Sequence, residues 1–366
     1  MHVYVFVTLL VIWFTRKHGL SLETSLIRYS PWRYGRSCLR DAASNENFAD
    51  IPTDTNILTS SNNGDDITLK SQSSLTPSTN INQEHRLRFG GVGRLYAADA
   101  DAEVDTVLAR LSAATVAVIG VGGVGSWAAE ALCRSGIGSL ILVDLDDICI
   151  SNTNRQLHAM SSTIGQMKTD VVQQRLQDIA PQCDITVIHD FVSTDNVHSI
   201  LTDLLERHGL NVVLDAIDGS KEKSALLAAC ADCQIPVVTC GGAAGRTDPT
   251  QIVCQDLVLV QGDPLLSTVR KNLRKRYGFP AGVSFHDRQL SKSGKTRIQK
   301  WNIECVYSTE PQKQLSPSVE NDTSSLRRCD GALGTACFVT GTAGFMAAGL
   351  VIDQIASGKT LDPPRR

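Results

Sequence analysis

The stretch Gly120-Val121-Gly122-Gly123-Val124-Gly125 follows an apolar run, Thr115 to Ile119, and Asp144 ends the next apolar run 24 residues after Gly120. Glycines at such a turn let backbone N–H groups approach phosphate, and the helix that follows presents its N-terminus. A carboxylate at the end of the second strand can accept hydrogen bonds from ribose hydroxyls. The spacing predicts a nucleotide at the first crossover of a Rossmann-like, doubly wound sheet. By itself it predicts binding and no particular reaction.

Outward from this stretch, short apolar runs alternate with longer amphipathic segments. Candidate strands are 115–119, 139–143, 185–188, 211–214 and 236–239; candidate helices are 125–135, 166–179, 194–208 and 220–233. This rhythm predicts an α/β fold with a mostly parallel sheet and helices on both faces. Right-handed crossovers would bring Gly120, Asp144 and Asp218 to the carboxyl ends of the strands. Beyond Ile252 the rhythm fades into a C-terminal extension. There Leu266, Val269, Leu273 and Tyr277 can share one helical face while Arg270, Lys271, Arg274 and Lys275 occupy another. Arg276, Arg288, Lys292, Lys295, Arg297 and Lys300 prolong the positive charge in a chain whose net charge is -3. A locally basic segment of this kind suits phosphate-backbone contact, although a solvated helix face has the same composition. Residues 331–352 carry no charged side chain and are long enough to span a membrane. Their richness in Gly, Ala and Thr favours a buried helix instead.

The chemistry narrows after Asp144. Asp144-Leu145-Asp146-Asp147 leads into Ser151-Asn152-Thr153-Asn154-Arg155-Gln156, then Gly165-Gln166-Met167-Lys168, then Asp215-Ala216-Ile217-Asp218. Hydride transfer has no evident need for an Arg and a Lys soon after the ribose acid. Cleavage of a triphosphate needs cations against its phosphates, so the cluster points to ATP consumption. A dehydrogenase dependent on NAD would leave Arg155, Lys168 and Asp218 without roles.

These residues resemble the ThiF superfamily of adenylating enzymes, related to ubiquitin-activating enzymes. The stretches 88–96, 126–132 and 152–158, extended by 190–192, 215–218, 241–252 and 305–310, are similar to its tRNA threonylcarbamoyladenosine dehydratase branch, in register over roughly 86–356. The resemblance implies activation of the substrate's free carboxylate at the α-phosphate of ATP. The modification's own carbamoyl group would then close on the activated carbonyl, aided by its intramolecular placement. It also implies Gly120, Gly122, Gly123 and Gly125 along the phosphates, Asp144 at the ribose with Asp146 beside it, and Asn152, Arg155 and Lys168 against phosphate charge. Asp218 would hold Mg2+, although Gly219 stands where related enzymes usually have Asn. Arg94, or Arg88 in its place, would reach the phosphates, Arg94 from a neighbouring subunit. The resemblance further implies tRNA contact through Arg270, Lys271, Arg274 and Lys275, and a homodimer. It leaves room for a monovalent cation and a sulfur-transfer partner; Cys305 and Cys329 are the thiols considered for that chemistry, with burial as the alternative. Activation of a ubiquitin-like or sulfur-carrier protein would use the same adenylation site, but such activators often carry paired CxxC motifs. Only Cys230-x-x-Cys233 is present here.

With 366 residues and 42% hydrophobic content, the chain suits one domain of about 270 residues plus an extension. Its 11 cysteines lack regular spacing and read mostly as reduced thiols. Residues 86–358 form the expected adenylating domain and 359–366 a tail. Residues 1–40 combine the apolar run Val3 to Phe14, the basic Arg16-Lys17-His18 and an Arg/Ser-rich stretch, while 41–85 read as a disordered linker. The basic flank follows the apolar run, unlike a secretory signal, which favours a mitochondrial address or an outer-membrane anchor over export. A cytoplasmic protein with a misassigned start is the alternative.

Overall fold

The computed structural model describes residues 81–100, 102–281, 299–313, 333–359 and 362–366. The targeting segment 1–40, most of the linker, the basic residues Arg288, Lys292, Lys295 and Arg297, and Cys329 lie outside the described residues. Within the compact unit Ser74–Arg366, the elements run α1 (Gln83–Ala100), α2 (Val104–Ser112), β1 (Thr115–Ile119), α3 (Gly125–Arg134), β2 (Ser139–Val143), α4 (Lys168–Ile179) and β3 (Asp184–Ile188). They continue as α5 (Val197–His208), β4 (Val212–Asp215), α6 (Ser220–Asp232), β5 (Val237–Cys240), β6 (Ile252–Asp256), α7 (Pro264–Arg276), β7 (Glu304–Ser308) and α8 (Cys337–Ala356).

The seven strands form one sheet in the order β3-β2-β1-β4-β5-β7-β6. All neighbours are parallel except β6, which pairs antiparallel with β7. Continuous apolar runs such as Thr115–Ile119 make sense in this setting, because a parallel sheet is covered on both faces. Along β1, Val116 and Val118 enter one core with α2, α3, α4 and α8, whereas Ala117 and Ile119 enter the other with α5, α6 and α7. The strand order reverses between β1 and β4, and Ile119 pairs with both Val143 and Asp215. Gly120, Asp144 and Ala216 therefore stand in one row at the carboxyl edge, where such sheets bind ligands.

Two elements differ instructively from the sequence expectations. The helix expected from Gln166 begins at Lys168, because Met167 bridges to Asp147 and Lys168 N donates to the Asp146 carbonyl. The helix expected from Thr194 begins at Val197, because Ser193 and Asn196 exchange side-chain-to-backbone bonds that hold a turn. The uncharged C-terminal segment forms α8, half-buried and packed mainly on α3. The tail docks as well: Arg365 N donates to the Trp301 carbonyl, and the Arg366 guanidinium meets the Ala228 carbonyl and Asp232.

Two buried ionisable groups report on the fold. Lys223 on α6 is fully buried, donating to Asp215 at 2.8 Å and to Thr239 at 3.1 Å, so it ties α6 to β4 and β5. Lys223→Met strands the Asp215 charge and is expected to cost about 3–5 kcal/mol in urea unfolding, with Asp215→Leu in the same chain restoring much of it. His158 is also fully buried; both ring nitrogens lack partners among the described residues, and burial together with the nearby Lys168 charge lowers its pKa to about 4. The unfolded chain takes up this proton near pH 6.5 but the folded chain only near 4, so stability falls as pH drops through that window. The loss amounts to about 3 kcal/mol. Denaturation titrations of wild type and His158→Leu should differ in slope between those pH values and run parallel above 7.

Candidate functional site

The phosphate-loop turn is built by close backbone contact. Gly120 adopts φ +88°, and its N–H donates to the Val143 carbonyl at 2.9 Å. A Cβ on Gly125 would collide with the Gly120 carbonyl oxygen, so only glycine lets α3 start this close to β1. Gly122 and Gly123 leave room beside the Gln156 amide and the Arg155 side chain, respectively. The cradle is the kind a phosphate can enter through backbone N–H groups.

Asp144 is 9% exposed and stitches this turn to β2: one oxygen accepts Val121 N at 2.7 Å and the other Asp146 N at 2.9 Å. Burial pushes its carboxyl up from the usual range, opposed by the Lys168 charge and those two N–H bonds. A carboxylate has further lone pairs after these bonds, which is what a ribose hydroxyl would use. Lys168 opens α4 with its side chain 7% exposed; its Nζ lies 2.6 Å from half-exposed Asp146 and 4.0 Å from Asp144. One buried cation thus faces two carboxylates at the strand edge, ready to exchange a carboxylate partner for phosphate.

Asn152, 4% exposed, uses its side-chain oxygen to accept Cys149 N at 3.0 Å, which fixes the loop carrying Arg155. The Arg155 guanidinium reaches the Ser151 carbonyl and Asn154 Oδ1. Its backbone carbonyl accepts from Trp127 Nε1 at 3.0 Å and from Thr340 Oγ1 at 3.2 Å. Sequence reading missed these two supports, because Trp127 on α3 and Thr340 on α8 meet Arg155 only through tertiary packing. Asp218 is exposed in the turn between β4 and α6. No cluster of three or more metal-ligating side chains exists among the described residues. Mg2+ that travels with a nucleotide needs only one or two protein carboxylates, and Asp218 fits that donor set.

Other expected residues fall differently. Arg88 is engaged by Glu84 and the Ile179 carbonyl, whereas Arg94 on α1 is exposed and without a hydrogen bond or ion pair among the described residues. Lys271, Arg274 and Lys275 are exposed on α7, opposite the buried Leu266, Val269 and Leu273. Arg270 departs from that surface: its guanidinium turns inward to the Val260 and Leu257 carbonyls, which corrects its assignment to the outer basic face. Cys305 is fully buried and burial pushes its thiol far above the ordinary range, which removes it as a reactive thiol. All nine cysteines among the described residues are free.

Comparison with known proteins agrees with this geometry. The tRNA threonylcarbamoyladenosine dehydratase of Haemophilus influenzae is 45% identical over 273 residues, which cover 75% of this chain and 95% of the relative. The Escherichia coli protein of the same name is 39% identical over 73% of this chain and 92% of its own. A crystal structure of the E. coli enzyme in complex with ATP superposes with a TM-score of 0.61 at 37% identity, covering 75% of this chain and 96% of that one. The ThiF family pattern matches residues 96–360, and the chain belongs to the ThiF family.

Proposed function

We propose that this protein is an ATP-dependent dehydratase of threonylcarbamoyladenosine in tRNA, closing that modification to its cyclic form through adenylation of its free carboxylate. The observation that carries the reading is the match at 45% identity over 95% of a dehydratase, supported by Asp144, Lys168, Arg155 and Asp218 in the segments that follow β2 and β4. Lys168 and Arg155 neutralise phosphate charge as the carboxylate oxygen attacks the α-phosphate and pyrophosphate leaves. The Gly120–Gly125 turn orients the phosphates, Asp144 holds the ribose and Asp218 takes the nucleotide's Mg2+. The carbamoyl group then closes on the activated carbonyl, loses a proton and expels AMP, so the product is lighter by one water. Activation of a ubiquitin-like or sulfur-carrier protein would use the same edge, but exposed Lys271, Arg274 and Lys275 favour a polyanionic partner.

A homodimer belongs to this proposal. Phe338 and Phe345 on α8 are each 52% exposed, and Leu87 and Leu95 on α1 more so. Apolar exposure of that extent on two adjoining helices suits a partner copy. Such a copy would also give Arg94, which has no ion pair among the described residues, a phosphate to meet. The mitochondrial outer-membrane reading rests on residues 1–40 alone, and the catalytic proposal is equally compatible with the cytoplasm.

Incubation of the chain with ATP, Mg2+ and tRNA carrying linear threonylcarbamoyladenosine should yield a nucleoside one water lighter by mass spectrometry. Arg155→Ala and Asp218→Asn should each slow it by about 100-fold or more; pyrophosphate exchange appearing only with a ubiquitin-like or sulfur-carrier protein would replace tRNA as substrate. Charge neutralisation of Lys271, Arg274 and Lys275 together should weaken tRNA binding and flatten its dependence on log salt by about 2 to 3, with ATP affinity unchanged.

A further inference from the structure

Arg246 lies in the turn that leaves β5, and only 2% of it is exposed. Its Nη2 reaches the Gly262 carbonyl at 3.4 Å, while Nε and Nη1 have no hydrogen-bond partner among the described residues. A guanidinium does not shed its proton in a protein, so this is a buried charge with most of its donors unanswered. Such a charge is unfavourable until an anion meets it.

Two carboxylates flank the turn, and both are engaged elsewhere. Asp263, the N-cap of α7, accepts Gly242 N at 3.0 Å and Leu266 N at 2.8 Å. Glu310 accepts Thr247 N and Asp248 N, each at 2.8 Å, and the Thr247 hydroxyl at 2.9 Å. Neutral donors therefore satisfy these two anions and leave the cation without a carboxylate partner among the described residues, beside the N-terminus of the 13-residue α7, whose dipole also favours negative charge.

The position of this cation indicates what it receives. β5 adjoins β4, and the turn after β4 carries Asp218. The groups assigned to phosphate, Arg155 and Lys168, stand in the chain between β2 and β3, the two strands on the opposite side of the strand-order reversal. Arg246 thus occupies the half of the carboxyl edge left for the second substrate. Its planar fork matches a carboxylate in bidentate fashion.

We propose that Arg246 is a substrate-binding residue that receives a carboxylate, which on the reaction proposed above is the free carboxylate of the threonylcarbamoyl group. Arg246 makes and breaks no bond; it holds the carboxylate in place before an oxygen of it attacks phosphorus.

The test is binding without ATP, using the full chain and two probes: tRNA bearing threonylcarbamoyladenosine, and the same tRNA with that carboxylate as its methyl ester. Wild type should prefer the acid by roughly 30-fold or more. Arg246→Gln should bind both probes alike, keep wild-type ATP affinity and melt no lower than wild type, since it removes an unpaired buried charge. Arg246→Lys should retain part of the preference. Persistence of the full preference in Arg246→Gln, or absence of any preference in wild type, overturns the assignment. So does a lowered melting point with the preference intact, which would make the guanidinium structural. Cyclisation of the tRNA by wild type alongside either result leaves the function standing and removes only Arg246; failure of wild type both to bind and to cyclise it removes both.

Discussion

The approach of Gly125 to the Gly120 carbonyl oxygen is the constraint on which the nucleotide half of the site depends. Any side chain at 125 would push α3 away from the end of β1 and open the turn. With the contact made, Val121 N points at Asp144 and the turn is held by the acid assigned to the ribose. The same helix then supplies Trp127, which fixes the Arg155 carbonyl from 28 residues away. Glycine at 125 therefore sets the positions of the Gly120–Gly125 turn, Asp144 and the loop bearing Arg155 at once.

Electrostatics along the carboxyl edge follow from burial. Asp144 is desolvated enough that its carboxyl is pushed up, yet Lys168 and two N–H groups favour its charged form. Lys168 in turn leans on the half-exposed Asp146, a partner that solvent can replace. An anion meeting Lys168 would therefore release Asp146 to water, which would keep the desolvation penalty small. A cation paired to a fully buried acid, as Lys223 is to Asp215, has no such freedom and serves the fold instead.

Legibility in the sequence tracks how local the determining contacts are. The strands from 115 to 143 were readable to the residue because each is an uninterrupted apolar run bounded by Gly or Asp. The helix start at 168 was displaced by a backbone bridge and that at 197 by a side-chain turn, neither of which periodicity registers. Arg270 looked like its neighbours on the basic face, but a helix face says nothing about the carbonyls of the loop folded beneath it. Thr340 and Trp127 carry no motif of their own, and their link to Arg155 exists only once α8 lies across α3.

The same distinction separates the two halves of the edge. On the β1 and β2 side, the glycines, Asp144 and Lys168 come from one stretch of about 50 residues, so spacing alone suffices to propose a nucleotide. On the β5 and β7 side, the Gly241–Asp248 turn is held by Glu310, more than 60 residues away, and by Asp263 at the start of α7. An edge built from such distant pieces can change its chemistry by single substitutions without disturbing the Gly120–Gly125 turn. An adenylating fold with one nucleotide site and many acyl substrates requires that separation, and here the strand-order reversal between β1 and β4 provides it.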